Sequence, residues 1–393
     1  MGLGENTNLK TANIDVLMPV YNSASYLSET LQSIQAQTVQ NIRIIIVDDG
    51  STDGTSEILA KAAASDSRIE IVTQANAGIV AALNAGLERC TAPFVARHDA
   101  DDLSDPERFA RQIDYLERHL DCVATSCMAR HIDADGKPLG TITRFKDPDA
   151  ADAWHIPARE PYLMHPFLTM RTEALKAVGG YRAVLGAEDS DLYWRLRSNG
   201  KLHNMRDVMG DYRMHAGSVS SQSIAHGRRL ALGSQLAALS AQRREKGQPD
   251  IAFDNALLVE IKRTEELVDL YRIGCRFAEG EERRWLALAL SIKIIELCFY
   301  RPFEPTAADI RFMRKALDQG STIMTPKNAQ EVREFLIATA TRLLLKPGYQ
   351  RLALKLGGPK LVPVILARTA FRVALPDSLR TRIKRIIGRS VAA

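Results

Sequence analysis

Four short segments hold residues whose types and spacing could do chemistry. In the first, Asp48 and Asp49 stand side by side and are followed by Gly50-Ser51-Thr52-Asp53-Gly54. Adjacent carboxylates are costly unless they find donors or a cation. A polar turn capping the next helix is the simpler use, and it would account for Ser51 and Asp53. In the second, Arg97-His98-Asp99-Ala100-Asp101-Asp102 sets three acids almost in a row. The alternating Asp99 and Asp101 can converge on one divalent cation, and hard cations such as Mg2+ and Mn2+ take oxygen ligands and share phosphate oxygens. The pattern alone is weak, because Asp133-Ala134-Asp135-Gly136 repeats it. There Gly136 and the flanking apolar runs read better as a solvated hairpin turn. In the third segment Leu192 and Leu196 mark a helical face, so Glu188 and Asp189 fall in the first turn. The helix dipole favours negative charge there, so they serve either as caps or as a carboxylate base. The fourth segment, Tyr212-Arg213-Met214-His215, offers a histidine that is structural, a metal ligand or a phosphate contact.

These segments need elements to position them. Apolar runs at 14–20, 42–47, 69–73 and 94–97 read as strands. They alternate with helical patterns over 24–37, 55–64 and 79–88, the first carrying Leu27, Leu31 and Ile34 on one face. Such alternation implies right-handed βαβ units and a parallel sheet. Ligands of open α/β sheets bind outside the carboxyl ends of the strands. Pro19-Val20-Tyr21-Asn22 follows the first strand, Asp48 and Asp49 the second, and Asp99 and Asp101 the fourth, all on one sheet edge. No GxGxxG follows a strand, which argues against a dinucleotide fingerprint. A hairpin is expected over 122–132 and 139–145, with a strand over 163–171. From about residue 221 the texture turns to Ala, Leu, Arg and Glu at helical spacing. The expected division is an α/β domain over 1–225, an α-helical region over 226–345 and a basic amphipathic tail over 346–393. Pro347, Pro359, Pro363 and Pro376 keep the last helices short.

Composition bounds the rest. The chain has 393 residues, 25% charged and 46% apolar, which excludes disordered, collagen-like and disulfide-scaffold classes. Five cysteines without CxxC spacing read as reduced thiols in a cytoplasmic protein. The net charge of +5 is unevenly spread. Residues 341–393 hold 12 of the 52 basic residues and one of the 47 acids, leaving 40 against 46, or −6, for the body. The N-terminus lacks the pattern of a secretory signal. The most apolar stretch, 285–300, contains Lys293 and Glu296, so a core helix is expected rather than a membrane span. The tail either packs its apolar face on the helical region or lies on the anionic inner face of the cytoplasmic membrane. No nucleic-acid partner is expected.

Taken in order, the segments PVYN, VDDGSTDGT, DADD, GGY (179–181), EDSDLYWRL and YRMHAGSVS resemble the family 2 glycosyltransferases, the large GT-A group that moves a sugar from a nucleotide-sugar. Asn76-Ala77-Gly78 and Asn84-Ala85-Gly86 fit the same pattern, and the likeness spans residues 12–220. It implies a GT-A fold with a mostly parallel, Rossmann-like sheet, followed here by an α-helical C-terminal region. It implies a nucleotide site at Pro19, Tyr21, Asn22, Asp48, Asp49, Asn76, Gly78, Arg97 and Asp99, with Asp48 on uracil and ribose. It assigns Mn2+ or Mg2+ to Asp99 and Asp101, with His215 completing the shell. Asp189 becomes the catalytic base beside Glu188. His165, Gly180, Tyr181, Asp191 and Trp194 fall to the donor or acceptor pocket. One departure is that Arg97 and His98 stand before the acids where apolar residues are commoner, in position to pair with them.

The chemistry implied is direct displacement. A leaving nucleoside diphosphate needs a cation to offset its charge. An acceptor hydroxyl needs a carboxylate to take its proton. The expectation is an inverting, metal-dependent transferase that moves sugar from a UDP-sugar to a saccharide or lipid-linked acceptor, in cell-surface polysaccharide or glycolipid synthesis. Two other readings stay open. One is a non-catalytic nucleotide-sugar-binding or membrane-docked assembly module. The other is a nucleotidyltransferase, although residues 18–26 lack its Gly-rich basic phosphate loop.

Overall fold

Runs of Val, Ile and Leu build the middle of one mixed sheet, because strands covered on both faces are apolar over most of their length. The computed structural model describes residues 12–184, 186–215, 224–300 and 304–374. Strands β1 (Ile14–Val20), β2 (Ile42–Asp48), β3 (Ile69–Thr73) and β4 (Phe94–Arg97) are mutually parallel. They continue into β5 (Leu103–Ser104), β6 (Cys122–Ile132), β7 (Pro138–Ile142), β8 (Thr169–Arg171) and β9 (Lys201–Arg213), in the order β3-β2-β1-β4-β8-β6-β9-β5, with β7 on β6. β8 is antiparallel to both β4 and β6, while β9 runs parallel to β6.

Side chains alternate across the sheet. Val16, Met18, Ile44 and Ile46 meet Leu27, Leu31, Ile34 and Leu59 on one face. Leu17, Ile45 and Val95 meet Leu83, Leu87, Leu192 and Leu196 on the other. This is the expected α/β architecture with a helical C-terminal region. The strand expected over 163–171 is shorter, because His165–Phe167 forms a 3-10 turn around Pro166. β9 and the helix Arg108–Arg118 have no counterpart in the sequence reading.

The chain divides into two compact units. One comprises Met1–Ala153, Arg159–Ser220 and Ser240–Leu258 and holds the sheet. The other comprises Trp154–Ala158, Ser221–Leu239 and Val259–Ala393, and its regular elements among the described residues are helices. In the helical unit the stretch 285–300 lies within the helix Glu281–Tyr300, whose Leu286, Leu290 and Ile294 are fully buried. Arg228 and Asp309 form a buried ion pair at 2.7 Å. Among the described residues no helix is long and apolar enough to cross a membrane. The five cysteines are free thiols.

Candidate active site

The ends of β1 and β2 are sewn together by side chains. Pro19 is in register with Val47. Beyond it Asn22 adopts a left-handed backbone, φ 50°, which asparagine tolerates better than most residues. Its backbone N–H donates to Ser51 Oγ at 3.0 Å, and its Oδ1 accepts from the Thr52 N–H at 2.8 Å. Asp53 accepts from the Thr55 N–H at the start of the next helix, as a cap would. Tyr21, between these anchors, is half exposed.

Asp48 and Asp49 are both buried and both supplied with donors. Asp48 accepts from the Ser51 N–H at 2.9 Å and the Ser56 hydroxyl at 2.6 Å. Burial alone would raise its carboxyl, but these bonds hold it below the ordinary range. Asp49 accepts from Gln74 Nε2 and from the Ala77 and Gly78 N–H groups, at 2.7–2.9 Å, and so fixes the loop carrying Asn76 and Gly78. Gly50, with φ 75°, lies so close to that loop that a Cβ would meet the Asn76 nitrogen at 2.8 Å.

The acid cluster follows β4. One oxygen each from Asp99, Asp101 and Asp102 lies within 4.8 Å of the others. The Asp102 carboxyl is buried, and Oδ1 accepts from the Arg213 N–H at 2.8 Å. Its Oδ2 has no partner among the described residues. Burial and the charges of Asp99 and Asp101 push Asp102 well up, and burial also raises Asp99. Three converging acids held this way, one with an unspent buried oxygen, fit a divalent cation that would discharge them. His215 Nε2 lies 2.9 Å from Asp101 Oδ2, so an imidazole stands beside the oxygen donors.

Three buried arginines, Arg97, Arg108 and Arg213, frame the cluster. Arg97, the last residue of β4, pairs with Asp99, as its position before the acids suggested. Arg108 donates to the Arg97 carbonyl at 2.9 Å and to Ser104 Oγ at 2.8 Å. His98 donates from Nδ1 to the Asp99 carbonyl and accepts from Ser104 at Nε2. Burial drives its pKa down to about 3, so it is a neutral brace rather than a partner for the acids. Arg213 donates from Nε to the Asp101 carbonyl and from Nη2 to Glu29. Asp102, Arg108 and Arg213 are thus parts of the site that sequence reasoning left without a role. The YRMH segment was the available signal for Arg213.

The second Asp-x-Asp pattern stays a turn. Asp133 Oδ1 accepts from the Asp135 and Lys137 N–H groups.

Glu188 and Asp189 open the helix Glu188–Arg197. Both keep some accessible surface. Burial raises Glu188 to about 7, with the Asp189 charge adding to it, and raises Asp189 to about 6 against the opposing Ser190 N–H. Nearby, His165 Nε2 lies 3.1 Å from the Tyr181 hydroxyl, and burial keeps this histidine neutral. Gly180 and Tyr181 are clamped by Asn84, whose Oδ1 accepts from the Tyr181 N–H at 2.9 Å. A Cβ on Gly180 would meet that same oxygen at 2.7 Å.

Asp191 is committed elsewhere. Asp191, on the other side of the helix from Asp189, is fully buried and accepts from Arg182 Nε at 3.0 Å and Arg195 Nε at 2.8 Å. Arg182 also reaches Asp250 at 2.7 Å, so Asp191 ties two segments of the unit together rather than lining a pocket. Trp194 is buried, with no partner for Nε1 among the described residues.

Comparison with known proteins gives the family. The family model for glycosyl transferase family 2 matches residues 15–179. A putative glycosyltransferase, EpsE of Bacillus subtilis, is 30% identical over 226 residues, which are 54% of this chain and 77% of that protein. The amylovoran biosynthesis glycosyltransferase AmsE of Erwinia amylovora is 34% identical over 207 residues, 52% of this chain and 76% of its own. Among solved structures, a mannosyltransferase from Pyrobaculum calidifontis in complex with GDP-Man and Mn2+ aligns with a TM-score of 0.49 at 18% identity, covering 92% of this chain and 87% of that one. With two relatives at or above 30% identity matched over three quarters of their length, this chain belongs to glycosyl transferase family 2 and is a glycosyltransferase.

Proposed function

We propose that the enzyme is an inverting, divalent-metal-dependent transferase that takes a UDP-sugar and passes the sugar to a hydroxyl of a saccharide or lipid-linked acceptor. The observation that carries this reading is the acid cluster, three carboxylates within 4.8 Å with one buried oxygen left unpartnered. Asp99, Asp101 and Asp102, with His215 beside them, would hold Mn2+ or Mg2+. When bound, that cation supplies the charge that offsets a leaving diphosphate. Asp189 accepts the proton of the acceptor hydroxyl. A carboxyl near 6 is ionised at pH 7 yet basic enough to share a proton as the bond forms. Direct displacement inverts the anomeric centre, so an α-linked donor yields a β-linkage.

The half-exposed ring of Tyr21 is suited to lie against a base. Asp48, kept ionised by its hydrogen bonds, retains acceptor capacity for the imide N–H of uracil. Isothermal titration tests the donor: UDP should bind more tightly than GDP, CDP or ADP. GDP binding about tenfold tighter, some 1.4 kcal/mol, would overturn the assignment.

Cell-surface polysaccharide assembly is the setting we favour, because a relative is named for amylovoran biosynthesis. We further place the enzyme on the inner face of the cytoplasmic membrane through its C-terminal segment. In the helix Val362–Ala374 only Ile365 is buried, while Val364, Leu366, Phe371 and Val373 are exposed beside Arg368 and Arg372. An apolar face flanked by arginines, in a segment with 12 basic residues and one acid, complements an anionic lipid surface.

A further inference from the structure

Arg97 is 2% exposed, and its only ion pair among the described residues is with Asp99. Its Nε and Nη1 have no hydrogen-bond partner there. A guanidinium taken out of water needs a counter-charge, and removing that charge leaves a buried ion uncompensated. Asp99 supplies it. Yet Asp99 is also one of the three acids whose oxygens converge within 4.8 Å. One carboxylate therefore faces two claims, from the resident guanidinium and from a divalent cation. The claims compete strongly because the surroundings screen little.

If a cation draws Asp99 away, no other carboxylate among the described residues is in contact with Arg97 to neutralise it. Asp102, Glu188 and Asp189 feel its charge but form no ion pair with it among the described residues. The guanidinium would then offer a fork of donors, two of them already unspent, to any anion entering the site. A planar fork of N–H groups suits phosphate oxygens.

We propose that Arg97 is a built-in competitor of the metal for Asp99, so that the site holds a divalent cation tightly only when a nucleoside diphosphate is present to take over Arg97. This rests on the reading of the acid cluster as a metal site. Metal and nucleotide then strengthen each other beyond their direct contact, and by linkage each tightens the other by the same factor. An enzyme so built does not carry a loaded metal into an empty site.

The test is direct titration of Mn2+ into the full-length protein, followed by the resonance of free Mn2+, with and without UDP. Wild type is compared with Arg97→Met, which is neutral, and Arg97→Lys, which keeps the charge but not the fork. With Mn2+ alone, Arg97→Met should bind about tenfold more tightly than wild type, because the competing cation is gone. Arg97→Lys should stay within about threefold of wild type. The tightening caused by UDP should fall about fivefold or more in both variants. Thermal melts check folding, and Arg97→Gln replaces Arg97→Met if the latter does not fold. Equal or weaker Mn2+ binding in the folded neutral variant overturns the proposal. So does tightening in Arg97→Lys as large as in Arg97→Met. If wild type takes up no Mn2+ with or without UDP, the metal reading itself fails, an outcome distinct from the others.

Discussion

His215 Nε2 lies 2.9 Å from Asp101 Oδ2, across 114 positions of sequence. Arg213, at the end of β9, adds two more contacts to the acid loop. The Arg213 N–H donates to Asp102 Oδ1, and Arg213 Nε donates to the Asp101 carbonyl. The YRMH segment therefore holds the carboxylates in place and sets an imidazole beside them.

Asp99→Ala and Asp101→Ala should each abolish metal-dependent turnover, while Asp135→Ala should leave it within about twofold of wild type. The first two remove oxygens from the converging cluster. Asp135 is an exposed turn residue, 3.7 Å from Lys137. Steady-state rates over a Mn2+ series would decide this, and equal loss in all three variants would show that the two Asp-x-Asp patterns have been misranked.

Asp189→Asn should lower kcat about a hundredfold or more with UDP affinity largely intact, since the amide keeps the shape but cannot take a proton. The sign of the pH dependence follows from the same group. Burial raises Asp189 to about 6 and its neighbour Glu188 to about 7, and the base works only when ionised. Wild-type kcat should therefore fall as pH drops through this range, in a broadened step because the two titrate together. In Asp189→Asn the residual rate should lose that step. A loss below tenfold, or an unchanged acidic limb, would move the role to Glu188.

Vesicle sedimentation tests the C-terminal helix. The full chain should pellet with anionic vesicles at low salt and leave them at high salt, each Lys or Arg near the surface contributing about 1 kcal/mol. Leu366→Glu with Phe371→Glu places acids on the exposed apolar face and should abolish pelleting. Pelleting by the double variant equal to wild type would remove the membrane assignment.

The legible part of the fold is the part governed by local pattern. β1 and β3 begin and end where the runs do, because short stretches rich in β-branched and apolar residues mark a strand locally. β9 was hidden by its polar residues and by three register shifts against β6, which break simple alternation. The same division holds in the site. The Arg97–Asp99 pair could be foreseen because the residues are two apart. The engagement of Asp102 by Arg213 spans 111 positions. Arg195 stands one helical turn from Asp191, a pairing that local spacing allows, but nothing in the local sequence shows that Arg182 claims the same carboxylate.

The central claim is sugar transfer that needs both the acid cluster and a carboxylate base. Release of nucleoside diphosphate from a panel of UDP- and GDP-sugars, measured with Mn2+ and again after chelation, tests it most directly. The account predicts release from a UDP-sugar that is lost on chelation, restored by Mn2+, and absent in both Asp101→Ala and Asp189→Asn. Turnover that survives chelation and either substitution would contradict it.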